Sequence, residues 1–294
     1  MEVIIFMLFT IRVYLLALLL AFQSANATAS PKCWPTLKAP NPEEETFILA
    51  MGANTGDLKM ANHDAQSFAK AMQKYYDVPE SYMCVLENKD VKKRFFKKAL
   101  KRLAKLARKP DKVFIYFSGH GTTLPDEDKD EEDCSLDEAL VMYSKPFLRD
   151  DDFVEMVNTL KTDDIVTFID TCFASGMLRG EQSCTTRAKT KFWVNPETVN
   201  ILPSRSCSAK KSKELKGILY AAAKERQLAW EYPEKGGFFT YIFLESMEKY
   251  MKERSKATLD DEALDKIFGQ TAEEVAKQTK NTACQQEPRR WPKF

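Results

Sequence analysis

Short runs of consecutive apolar residues alternate along this chain with longer stretches in which apolar residues recur every three or four positions. The first pattern suits a strand buried on both faces, and the second is the stripe of an amphipathic helix. Phe47 to Gly52, Tyr82 to Leu86, Lys112 to Ser118 and Ile165 to Asp170 read as four strands. Between them, Met60 to Tyr76 sets Ala65, Phe68, Met72 and Tyr75 at helical spacing, and Val91 to Leu106 sets Phe95, Ala99, Leu103 and Leu106 on one stripe below a lysine-rich face. That face is expected to be solvated rather than membrane-bound. Ala139 to Tyr143 reads as a small hairpin strand, and Asp150 to Leu160 as a helix whose first turn places Asp150, Asp151 and Asp152 against its positive dipole end. Further on, Gly217 to Ala223 and Leu228 to Glu231 read as a fifth and a sixth strand, and Phe238 to Lys252 and Leu259 to Gln278 as helices. Such alternation predicts an α/β fold: a mostly parallel central sheet with helices on both faces and its site at the strands' carboxyl ends.

Four stretches break the pattern. Residues 1–27 carry the apolar run VYLLALLLAF between Arg12 and the small residues Ala25-Asn26-Ala27, the build of a secretory signal peptide. An uncleaved anchor is the alternative, because Val3 to Phe9 lengthens the apolar stretch. Residues 28–45 have no periodicity and read as a mobile lead-in. Pro125 to Glu138 is a long acidic loop. Met177 to Lys216 is a linker rich in basic residues, including Arg179, Arg187, Lys189, Lys191, Arg205 and Lys211, and is too long to be an idle loop. The expected organisation is thus a large segment over 46–176, the linker over 177–216, and a small segment over 217–294 that completes the same domain.

Composition changes this picture little. At 294 residues and a net charge of +1, the chain can bury a full core and gives no reason to expect nucleic acid as a partner. The seven cysteines matter more. In an exported chain, secreted or periplasmic, reserving Cys172 as a free thiol leaves an even number for disulfides, with Cys184 and Cys207 the first pair to test. No stable membrane insertion is expected once the signal is removed.

The candidate chemistry lies at two strand ends. His120 follows the strand of VFIYFSGHGT between two glycines, and Cys172 follows that of IVTFIDTCFASG. At the carboxyl ends of neighbouring parallel strands these side chains can meet, giving a thiol nucleophile with an imidazole base. Gly121 leaves room for a substrate backbone, and its N–H together with that of Cys172 suits an oxyanion, each such donor lowering the barrier by about 3 kcal/mol. Two histidines and no CxxC pair leave no basis for a His-rich zinc site or dithiol redox work.

FSGHG followed by IDTC in an alternating β/α chain resembles the caspase-like cysteine peptidases, most closely the metacaspases. The resemblance spans roughly Phe47 to Met251 and implies a three-layer caspase-like sandwich with about six central strands, and His120 and Cys172 as a dyad. Caspases proper read an aspartate with arginines. The segment GANTGDLKMANHDA, where one of those would lie, has none. Asp64, Ser118 and Asp170 fall instead where metacaspases line their substrate pocket, which implies protein or peptide substrates cut after Arg or Lys. The chain departs from the usual pattern at Ala61, where a cysteine is common, and at Phe173-Ala174-Ser175-Gly176, where His-Ser-Gly is common. The resemblance also implies that no cofactor is required for chemistry, while calcium is a candidate ligand of Asp150 and Asp151, with Asp133 or Asp137 adding oxygens. A basic linker in such an enzyme implies self-cleavage, for example after Arg179, Arg187 or Lys211. Two alternatives stay open: a legumain-like peptidase preferring asparagine, and a catalytically silent exported interaction module with the same fold.

Overall fold

The computed structural model describes residues 32–38, 40, 43–125, 136–143, 147–172, 187–198, 214–224, 227–254 and 259–291. In chain order the strands are β1 (Thr46–Gly52), β2 (Met83–Glu87), β3 (Lys112–Ser118), β4 (Gly121–Pro125), β5 (Leu136–Val141), β6 (Phe147–Arg149), β7 (Ile165–Asp170), β8 (Lys189–Thr190), β9 (Ile218–Ala221), β10 (Trp230–Tyr232), β11 (Gly236–Gly237) and β12 (Arg289–Trp291). The helices are α1 (Ala61–Tyr75), α2 (Lys93–Leu106), α3 (Asp150–Asn158), α4 (Phe238–Glu253) and α5 (Asp261–Thr279). A six-stranded sheet in the order β12-β9-β7-β3-β1-β2 forms the middle layer. Its four pairings from β9 to β2 are parallel, and only β12 runs antiparallel, against β9.

Alternation along each central strand divides the core into two layers, because successive side chains leave opposite faces. Ile48 and Ala50 of β1, Phe114 and Tyr116 of β3, and Val166 and Phe168 of β7 pack with Phe68 and Met72 of α1, Phe243 of α4 and Ile267 of α5. Phe47 and Leu49, Val113 and Ile115, and Ile165 and Ile169 face the other way, onto Phe96, Leu100 and Leu103 of α2 and Phe153 and Val157 of α3. The basic helix behaves as its pattern predicts: the stripe Phe95, Ala99, Leu103 and Leu106 is buried, and Lys97, Lys101 and Lys105 are exposed.

The sixth central strand is not the expected one. Leu228 to Glu231 overlaps β10, which joins β8 and β11 in a separate three-stranded sheet. The edge position beside β9 goes instead to Arg289–Trp291, a stretch exposed at every residue. The hairpin strand predicted near Ala139 is β5, central in a second small sheet with β4 and β6. Residues 32–38 of the expected lead-in are tied to the body: Cys33 is disulfide-bonded to Cys84, and the fully buried Trp34 donates from Nε1 to the Tyr82 carbonyl at 2.8 Å. Cys284 is also disulfide-bonded. The expected signal peptide over 1–27, Cys184, Cys207, Asp133, Arg179, Lys211 and Phe173-Ala174-Ser175-Gly176 lie outside the described residues. Among the described residues, no helix is long and apolar enough to cross a membrane.

Candidate active site

β3 and β7 lie side by side with Ser118 opposite Asp170, so the chain delivers His120 and Cys172 to the same edge of the sheet. Both side chains are buried. They do not touch through their polar atoms. The Cys172 thiol is held by Ala229, whose N–H donates to Sγ at 2.8 Å and whose carbonyl lies 3.2 Å away, with Thr190 Oγ1 at 3.8 Å. The His120 ring has Thr55 Oγ1 at 2.9 Å from Nδ1 and Asp57 Oδ1 at 3.6 Å from Nε2, feels the Thr190 backbone, and meets Trp193 edge-on at 5.8 Å. Burial pushes the thiol up to about 12, and burial pushes the imidazole down to about 4 against the opposing pull of Asp57. At neutral pH both partners are therefore uncharged, the reverse of a thiolate–imidazolium pair. No hydrogen bond joins the two side chains, and Thr190, from the linker, stands beside both.

The residue after Thr190 explains why. Lys191 is fully buried, and its ammonium lies 2.8 Å from Ser118 Oγ, 3.3 Å from Asp64 Oδ2 and 3.1 Å from Asp170 Oδ1. These are the three residues expected to line the substrate pocket, and the structure brings all of them together. Burial alone would lower the Lys191 pKa, but Asp170, Asp64 and Glu231 outweigh it and the pKa is raised. Asp64 moves up, because burial and the neighbouring Asp170 outweigh Lys191, Ser118 and the Gly237 N–H. The pocket is closed from the C-terminal side. Gly237 N–H donates to both Asp64 oxygens at 3.1 and 3.0 Å, and Thr240, by backbone N–H and hydroxyl, donates to Asp170 Oδ2. A Cβ at Gly237 would sit 2.1 Å from Asp170 Oδ2, so only glycine fits there.

The Lys191 backbone is placed as carefully as its side chain. Its carbonyl accepts from Gly121 N–H at 2.8 Å and from Cys172 N–H at 3.4 Å, the two donors expected of an oxyanion site. On one side of it, β8 pairs antiparallel with β10, Thr190 opposite Trp230 and Lys189 opposite Glu231, and Lys191 N–H donates to the Ala229 carbonyl at 2.9 Å. On the other, Trp193 N–H donates to the Gly121 carbonyl at 2.7 Å and Thr122 Oγ1 to the Trp193 carbonyl at 2.8 Å, while Asn195 and Thr198 bind Thr123. Residues 189–194 thus cross the site as an extended peptide, and a turn closed by Thr198 N–H on the Asn195 carbonyl follows.

The acidic cluster at α3 fits a cation less well. Asp137 pairs with the Arg149 guanidinium, and burial followed by Asp151 and Asp137 pushes Asp150 up to about 7. Among the described residues, no group of three or more metal-ligating side chains is close enough to hold an ion. Asp150, Asp151 and Asp137 as arranged here do not form a calcium cage.

Sequence reasoning named Lys191 only as one linker cation among several and missed Thr55, Asp57, Thr190, Trp193, Ala229 and Thr240. The Gly236-Gly237 pair ahead of a helical stripe was a usable signal for the pocket wall; nothing in the linker's pattern singles out Lys191.

Comparison with known proteins agrees with the fold. Metacaspase-6 of Arabidopsis thaliana is 33% identical over 107 residues, 35% of this chain and 29% of that protein. Metacaspase-4 of the same plant is 27% identical over 128 residues, 42% of this chain and 31% of that protein. The matched stretches therefore span less than a third of these relatives' lengths. A crystal structure of a Geobacter sulfurreducens protein superposes with a TM-score of 0.57 at 17% identity, covering 84% of this chain and 92% of that one, a likeness of fold. Residues 46–291 match the family described as the caspase domain, peptidase C14, which is most of the chain, and this protein belongs to that family.

Proposed function

We propose that this chain is a cysteine endopeptidase cutting after lysine or arginine, made as a latent precursor with its own Lys191–Phe192 bond lying in the cleft as first substrate. The observation that carries the reading is the buried Lys191 ammonium between Asp64 and Asp170, with its carbonyl facing the Gly121 and Cys172 N–H groups. Two carboxylates on either side of a slot suit arginine equally, and give asparagine no counter-charge. That weighs against the legumain-like alternative.

The chemistry follows from the placement. His120 takes the Cys172 proton, and Sγ attacks the carbonyl carbon of the residue in the slot. Negative charge gathers on an oxygen already facing two N–H donors. Collapse breaks the C–N bond, and the leaving amine takes the proton from His120. Water then attacks the thioester, giving up a proton to His120, and Cys172 is regenerated. In the precursor, the neutral thiol bonded to Ala229 and the neutral ring beside Thr190 keep the first step from starting. Activation is the movement of Thr190 out of the gap and of Sγ away from Ala229.

Export belongs to the same reading, with a signal peptide over 1–27; disulfide-bonded Cys33, Cys84 and Cys284 support an oxidising destination. Calcium dependence is a separate question put to the same assay, by comparing EGTA with added calcium.

The test is mass spectrometry of the incubated chain together with a peptide library. Wild-type protein is expected to give a new end at Phe192, and Cys172→Ala to stay whole. Cutting at that bond by Cys172→Ala at the wild-type rate, or a library preference for Asn or Asp over Arg and Lys, overturns the reading.

A further inference from the structure

The lysine slot has a neighbour. Because β8 is extended, Lys189 and Lys191 leave the same side of the strand. Lys191 enters the slot, and the Lys189 ammonium stands 3.4 Å from Asp57 Oδ2, whose other oxygen lies 3.6 Å from His120 Nε2. The backbone of Lys189 is fixed by its pairing with Glu231 of β10. Asp57 belongs to the connection between β1 and α1, the helix that carries Asp64, so a single stretch of chain supplies an acid to each cation.

We infer that Asp57 forms a second cation subsite, reading a basic residue two positions before the lysine or arginine held in the slot, so that the preferred substrates carry Lys or Arg at both places with any extended residue between. This rests on the function proposed above and deepens it.

The expected size follows from exposure. Lys189 and Asp57 are 45% and 55% exposed, against 0% for Lys191 and Asp170. An exposed pair in water discriminates only a few-fold and fades with salt, whereas the buried slot decides whether a peptide is cut at all. Asp57 is therefore a tuner of rate between substrates that the slot already accepts.

The experiment uses the full-length enzyme after processing and three fluorogenic peptides ending in lysine, with Lys, Ala or Glu two positions before it. In wild-type enzyme at low salt, kcat/KM for the Lys peptide is expected to exceed that for the Ala peptide by roughly three- to fivefold, with the Glu peptide lowest and the spread narrowing at high salt. Asp57→Asn, whose nearness to His120 affects all three peptides alike, is expected to bring the Lys-to-Ala ratio to about one. Asp57→Lys is expected to favour the Glu peptide. In the chain itself, Lys189→Glu should slow processing at Lys191, and adding Asp57→Lys should restore it. Equal cutting of the three peptides by wild type, or a Lys-to-Ala ratio unchanged in Asp57→Asn, overturns the subsite and leaves the proposed function standing. Failure to cut any lysine-ended peptide overturns both.

Discussion

Ser118 stands two residues before His120, and Asp170 two residues before Cys172, yet the two pairs of positions are in opposite states. The earlier residues are fully engaged, closing with Asp64 around a buried ammonium. The later ones are not hydrogen-bonded to each other, a neutral thiol on Ala229 and a neutral ring beside Thr190. Recognition is assembled before chemistry is possible. The same peptide meets both: the side chain of Lys191 completes the slot while Thr190, one residue earlier, has Oγ1 3.8 Å from Cys172 Sγ. In the function proposed above, latency is a property of the chemical half of the site, and specificity can be studied in the latent state.

The most severe way to break this contrast is Lys191→Met, which leaves Asp64 and Asp170 facing each other without a cation. Losing one partner of a buried ion pair costs about 3–5 kcal/mol, so denaturant unfolding should show a loss of that order and processing should stop. Lys191→Arg should keep most of both. A Lys191→Met protein within about 1 kcal/mol of wild type would mean that the slot is not held together by its guest.

The disengaged half is probed by its thiol. With Cys172 pushed up to about 12 from an ordinary 9.0, alkylation at pH 8 should be slower in the native uncut chain than in urea by on the order of 100- to 1000-fold. Equal rates would show a thiolate already present.

The imidazole gives a third measurement, in pH. His120 titrates at about 4 in the folded chain and at 6.5 when free, so the unfolded state takes up a proton first as the pH falls. Stability should accordingly decline as pH drops from about 6.5 to about 4, by roughly 3 kcal/mol from this residue. Urea titrations at several pH values, with His120→Gln as the comparison, should show that slope reduced in the variant; an unchanged slope would place the proton elsewhere.

The smallest effect sharpens the engaged half. Thr240 donates to Asp170 through its hydroxyl, which also meets Tyr116 Oη at 2.6 Å. Thr240→Val should cost about 1–2 kcal/mol and slow processing modestly. No change in either would mean that Asp170 is oriented by Lys191 alone.

The parts legible in the sequence are those governed by local pattern. The apolar runs ending at Ser118 and Asp170 locate the strands, and their last residues and those just past them fall at one place, because a parallel sheet gathers its strand ends at one edge. The parts that escaped depend on pairing at a distance. Leu228 to Glu231 has the look of a strand, but nothing local says which sheet it joins, and its alignment with β8 requires the linker to be in place. Arg289–Trp291 has no apolar alternation at all and is a strand only because β9 has a free edge beside it. Lys191 resembles every other linker lysine until the fold supplies two carboxylates around it.

Residues 189–198 are clasped on both sides of Lys191, by β10 upstream and by Thr122 and Thr123 downstream. A cut at Phe192 therefore produces a nick and not a departure. The new amine remains tethered beside the thioester at an effective concentration in the millimolar range, where it competes with water and re-forms the bond it has just lost. Release of the clasps, more than the making of the cut, sets the time at which the cleft becomes available to other proteins.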